Sequence, residues 1–162
     1  MLLGPEGENW LPIHTFLPLS QSQAVVRATQ RFFADNGEMM QHHGIAVSYL
    51  TATSGTDFVF EPSFYWQDEL GRFRLERIEP EYAEQWKTLP ANLPARQAVL
   101  QLRRQLAALF DRMGGIHMQI GKYYAYETNM EPQRWQVLRG MKKVLDPQNL
   151  VNPGVLGFDD LD

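Results

Sequence analysis

The chain has 162 residues, 44% hydrophobic and 12% aromatic, with 15 basic and 19 acidic side chains and a formal charge of −4. One globular domain with one buried core is the expected count, and the mild acidity disfavours nucleic acid, whose affinity rests on clustered Lys and Arg. The absence of cysteine excludes a disulfide framework or thiolate metal site. No apolar run nears the roughly 20 residues of a membrane helix, and the first ten residues lack the basic-then-apolar order of a signal peptide. A soluble, cytoplasmic protein is expected.

The run Trp10 to Leu17 alternates as a strand, with Leu11, Ile13, Thr15 and Leu17 on one face and Trp10, Pro12, His14 and Phe16 on the other. A helix is predicted after Ser20 through Ala24, Val25, Ala28, Phe32 and Phe33, with Gly37 as its stop. His42 and His43 then read as a solvated loop. Ile45 to Thr53 and Phe58 to Trp66 are strands joined by the turn Ser54-Gly55-Thr56-Asp57, a hairpin. Residues 68–91 are charge-rich and read as an excursion from the sheet, with a short helix over Pro80 to Leu89 that carries Tyr82 and Trp86.

A second long helix opens at Asn92-Leu93-Pro94, repeats Val99, Leu102, Leu106, Leu109, Phe110 and Met113 at three-to-four spacing, and ends at Gly114-Gly115. Ile116 to Tyr126 alternates as a fourth strand. A third helix starts near Pro132, aligns Trp135, Leu138, Met141, Val144 and Leu145, and stops at Asp146-Pro147, leaving 146–162 as a return segment.

This order predicts an α+β protein: a ferredoxin-like βαββαβ sandwich with an extra C-terminal helix, helices covering one face of an antiparallel four-stranded sheet. The fourth strand is expected beside the first, and the first beside the third. With Ile116, Met118 and Ile120 facing the helices, His117 and Gln119 point to the open face. The same alternation brings His14 there, with Glu61 from the third strand. That open face is the expected functional surface.

The closing stretch Met141-Lys142-Lys143-Val144-Leu145-Asp146-Pro147-Gln148-Asn149-Leu150-Val151-Asn152-Pro153-Gly154 resembles the last motif of FAD-linked oxidases of the vanillyl-alcohol oxidase / glycolate oxidase superfamily. Gly121-Lys122-Tyr123-Tyr124 is similar to the Gly-x-Tyr-Arg segment of the phenol-oxidising members. Asn9 to Ser20 resembles the first strand of their C-terminal cap domain. Together these span about Asn9 to Phe158.

The resemblance implies a cap whose open sheet face lies over a flavin. The complete enzyme would move a hydride from an alcohol, either an aryl or phenolic alcohol or a 2-hydroxy acid, to FAD, the cofactor carrying the redox step. The FAD-binding domain is missing from this chain, which reads as a fragment, a split subunit or a truncated product that holds FAD weakly alone. Tyr123, Tyr124 and His117 are the implied catalytic residues, the tyrosines stabilising a developing oxyanion, although Tyr124 replaces a cation. His14, Gln119 and Glu61 are implied substrate contacts. Asn152, Gly154 and His14 are implied flavin contacts, His14 lying within one position of the family's flavin-linked His. A metal held by His14, His117 and Glu61 is disfavoured, because Ile116 stands where the metal branch has Glu. The alternative is a free-standing ferredoxin-like module that binds a small ligand and forms a homodimer through its sheet face.

Overall fold

The structure, a computed structural model, describes residues 4, 6–119, 121–124 and 126–158. In chain order these form β1 (Asn9–Pro12), β2 (Thr15–Pro18), α1 (Ser22–Asp35), α2 (Gly37–His42), β3 (Ala46–Ser54), β4 (Asp57–Trp66), α3 (Arg72–Leu75), α4 (Pro80–Trp86), α5 (Leu93–Arg112), α6 (Tyr126–Asn129) and α7 (Pro132–Leu145). Single 3-10 turns occupy Leu19–Gln21 and Val155–Gly157.

β4 is the centre of the sheet. It pairs antiparallel with β3 on one side and with β1 and β2 on the other. Tyr49 opposite Pro62 and Ser54 opposite Asp57 close the predicted hairpin around Gly55, whose φ of 61° suits a residue without Cβ. β1 and β2 form one line interrupted at Ile13 and His14. Register explains the gap. Pro12 faces Ser63 and Thr15 faces Phe60, so Ile13 falls opposite Pro62. The Ile13 N–H still reaches the Pro62 carbonyl at 2.9 Å, but proline has no N–H to return the second bond.

Cross-strand neighbours Leu11 and Phe64, Thr15 and Phe60, and Leu17 and Phe58 share the face that meets the helices. α1 brings Val25, Thr29 and Phe33 to that face, and α5 brings Ala95, Ala98, Val99, Leu102, Leu106 and Phe110. Phe60 packs edge-on to Phe110 and stacks on Tyr49. The apolar stripe predicted for α5 is thus the helix side of the core. Its start is also as expected, with Asn92 Oδ1 accepting the Ala95 N–H at 3.2 Å. The α+β class is borne out.

Other expectations are corrected. Gly37 does not stop the first helix: Asn36 leaves helical geometry for one residue, Gly37 opens α2, and the chain turns at Gly44 with φ 62°. His42 therefore ends α2 and His43 caps it, rather than lying in a loop. Among the described residues the fourth strand is reduced to a single antiparallel bridge, Phe16 to Ile116, beside β2 as the strand order requires. Ile116 and Met118 do not face the helices; they are 65% and 62% exposed. Ile120 lies outside the described residues. α7 forms where predicted, yet none of its residues is buried, and Val137, Met141, Val144 and Leu145 are solvent-exposed.

Between sheet and α5, residues 68–91 hold α3 and α4, with Tyr82 stacked on buried Trp86. Asp68 ties this stretch to the body. Its carboxylate takes a two-pronged bond from Arg96 (2.7 and 2.9 Å), the Asn92 and Glu69 amides, and the Trp66 indole. No helix among the described residues is long and apolar enough to cross a membrane.

Candidate functional site

His14 leaves the strand line with the parity opposite the core and is nonetheless 1% exposed, because the segment after Ile116 folds over it. The Met118 and Gln119 amides donate to its Nε2 at 2.9 and 3.2 Å. A nitrogen that accepts carries no hydrogen, so Nδ1 holds the proton and donates to Tyr124 Oη at 3.0 Å. Burial, with His117 and Arg103 nearby, lowers His14 to a pKa of about 4 and keeps it neutral.

His117 stacks on Tyr124 with ring centroids 3.9 Å apart. Its Nδ1 donates to the His14 carbonyl at 2.7 Å, and Nε2 meets Asp111 Oδ1 at 3.1 Å. Asn129 donates to the same Asp111 oxygen at 2.7 Å. Both ring nitrogens of His117 are thus engaged, one by a carbonyl and one by a carboxyl group. Tyr126 Oη shares its hydrogen between the His117 and Gln119 carbonyls (2.9 and 2.7 Å). The loop is held by side chains where a strand would be held by a ladder.

Tyr123 points out of this cluster and is 38% exposed. The Arg103 guanidinium, from α5, lies 3.8 Å over its ring. Arg103 Nε donates to the Pro12 carbonyl at 3.0 Å. Burial raises both phenols, and the positive charge of Arg103 opposes that rise.

The structure therefore brings together His14, His117, Tyr123, Tyr124 and the backbone of Gln119. The Gln119 side chain is exposed. Glu61 falls opposite His14 by register, and burial raises its carboxyl, but it makes no hydrogen bond to the cluster among the described residues. Asn152 is exposed with φ 49°, and Gly154 is buried with φ 76°, its N–H donating to the Phe158 carbonyl at 3.1 Å. Two concavities flank the loop. One, about 440 Å³, is lined by His117, Tyr126, Asn129 and Arg134 among others. The other, about 320 Å³, is lined by Lys122, Tyr123, Tyr124, Glu127 and Gly154 among others.

Sequence reasoning missed Arg103, Asp111, Tyr126 and Asn129. Asp111 did leave a signal: an acid in the last turn of a helix opposes the macrodipole and calls for another partner. Arg103 sits directly beside the buried position Leu102, where a cation needs a carbonyl or aromatic neighbour.

Three comparisons bear on this site. Residues 114–156 match the family described as FAD linked oxidases, C-terminal domain. The resemblance carried by Met141 to Gly154 is thereby borne out, and residues 114–156 are consistent with the C-terminal domain of FAD-linked oxidases. Among solved structures it is similar to 4-ethylphenol oxidase from Gulosibacter chungangensis in its isoeugenol complex, with a TM-score of 0.56 and 15% identity. That match covers 96% of this chain and 25% of the oxidase, so this chain spans about a quarter of that protein's length, and the likeness is one of fold. No curated protein matches.

Proposed function

We propose that the chain is the substrate-enclosing cap of an FAD-linked oxidoreductase that takes a hydride from an alcohol carbon, with an aryl or phenolic alcohol favoured over a 2-hydroxy acid. One observation carries the reading: the family match spans the segment that folds over His14 and builds the walls of both concavities.

The family match implies FAD in the complete enzyme, where the flavin would accept the hydride. The residues here do not fit its pyrophosphate. The Gly154 amide, in the closing turn, is spent on Phe158, and the sequence offers no glycine-rich cradle. Asn152 and Gly154 are assigned to the flavin edge, and the FAD-binding domain to a partner or to another part of the protein. Within this chain Tyr123 is the phenol a substrate meets. Tyr124, His14 and His117 position it by fixing the loop, and His117 borders the larger concavity. Gln119 and Glu61 are assigned to the substrate's periphery.

Titrating the chain with FAD, and separately with a 4-alkylphenol, benzyl alcohol and lactate under NMR observation, tests this. Weak FAD binding, with phenol or benzyl alcohol shifting Tyr123 and His117 signals more than lactate does, is expected. A stoichiometric yellow protein, or no response to any of the three small ligands, overturns it.

A further inference from the structure

Among the described residues β3 pairs only with β4, and every residue of β3 except Val47 is exposed. Pro62 fixes which of its backbone groups face outward. The Pro62 carbonyl accepts the Ile13 N–H at 2.9 Å and so points to the β1–β2 side. Tyr49, opposite Pro62, therefore sits in a non-hydrogen-bonded pair and turns its own N–H and C=O away from β4. Alternation along the strand extends this to Val47, Thr51 and Thr53.

The two edges of the sheet are built differently. At one, β1 and β2 each end in proline, part at Ile13 and His14, and meet the Ile116 bridge. β3 carries none of the devices that blunt an edge. Ala46 to Ser54 holds no charge, proline or glycine, and its register on β4 runs without a bulge. The Tyr49 ring at this edge is held in place by stacking on Phe60.

That edge is complementary to itself. In an antiparallel two-fold pairing centred on Leu50, Val47 falls opposite Thr53 and Tyr49 opposite Thr51 of the second copy, so each outward N–H and C=O from Val47 to Thr53 is met. These are β-branched and aromatic pairs on the helix side. On the open side Leu50, 54% exposed, meets its own copy, flanked by small Ser48 and Ala52. A centre moved to Tyr49 or Thr51 leaves one end of the edge unpaired. The two-fold also lays the His42–His43 end of β3 beside the second copy's hairpin end, whose charged residue is Asp57.

We propose that the outward edge of β3 is an interface for a second copy of this chain, joining two sheets into one about a two-fold axis at Leu50. The joint uses the edge and leaves the open face unobstructed. It is narrow, so an affinity on the order of 10 μM is expected.

Sedimentation of the full chain between about 2 and 200 μM tests this, with hydrogen exchange at both ends of the range. A monomer–dimer equilibrium is expected, with the Tyr49 and Thr51 amides protected only in the dimer. Thr51→Pro removes an outward N–H but no bond to β4, and Leu50→Lys sets two ammonium groups against each other at the axis. Each is expected to weaken the dimer at least roughly tenfold. Mixing Leu50→Lys with Leu50→Glu should restore it, and Val144→Lys, on the exposed face of α7, should leave it unchanged. Should Thr51→Pro unfold by circular dichroism, the Leu50 mixture and the amide protection decide. A monomer throughout the range overturns the interface, as does a dimer that only Val144→Lys dissolves. A dimer that leaves the Tyr49 and Thr51 amides exchanging is joined through another face and overturns it too. Failure of the mixture to restore the dimer overturns the two-fold at Leu50.

Discussion

His14 and Tyr124 are joined from imidazole to hydroxyl at 3.0 Å, with the imidazole as donor, because its other nitrogen already receives the Met118 and Gln119 amides. One neutral ring on the first strand line thus organises the segment that the family match covers. A protonated ring would lose both amide bonds.

That gives a pH dependence with a definite sign. His14 titrates near 6.5 when unfolded and at about 4 when folded, so the unfolded chain binds the proton more readily. Its contribution is full above pH 6.5 and is lost as pH falls from 6.5 toward 4, by at most about 3 kcal/mol. Urea midpoints at pH 7.5 and 4.5 measure the loss. His14→Gln, which keeps an acceptor but cannot charge, is expected to flatten that slope.

Asp68 acts at lower pH. Burial raises its carboxyl, but Arg96, the Asn92 amide, the Trp66 indole and the Glu69 amide outweigh that and hold it at about 2. Its contribution is present above about 3.8 and disappears as pH falls toward 2. Asp68→Asn leaves Arg96 without its main partner and is expected to cost about 3 kcal/mol at pH 7, read as a lower denaturant midpoint with an unchanged slope.

The two tyrosines should separate cleanly. Tyr124→Phe keeps the stack on His117 but strands the buried His14 Nδ1–H, costing about 1–2 kcal/mol of stability. Tyr123→Phe removes the hydroxyl of a residue that is 38% exposed and is expected to leave the melting temperature unchanged while weakening the response to the phenol probe. Thermal melts and ligand titrations of both variants check the contrast.

Gly115 is the hinge between α5 and the loop. A Cβ there would collide with Thr15 Oγ1 and sit 3.0 Å from the Phe110 carbonyl. Gly115→Ala is expected to cost about 2 kcal/mol and to break the Phe16 to Ile116 bridge, seen as lost amide protection at both residues.

Much of the fold was legible in the sequence. The α5 stripe, the hairpin and the placement of Ile116 beside Phe16 follow from periodicity, turn residues and strand order. The failed fourth strand has a specific cause: residues 116–119 alternate as a strand would, but the Met118 and Gln119 amides go to an imidazole instead of a neighbouring backbone. Side-chain acceptors of that kind leave no periodic trace. The site was half legible for the same reason. His14, His117, Tyr123 and Tyr124 could be named by type and parity. The contribution of Arg103 depends on how α5 crosses above Pro12, which only packing decides.

α7 buries none of its side chains. Trp135 stacks on Phe158, Lys142 pairs with Asp146, and the Leu156 amide reaches the Gly121 carbonyl. Such a helix opens without disturbing the sheet. Hydrogen exchange should therefore divide the chain in two, with α5 amides opening only on global unfolding and α7 amides exchanging earlier through local fraying.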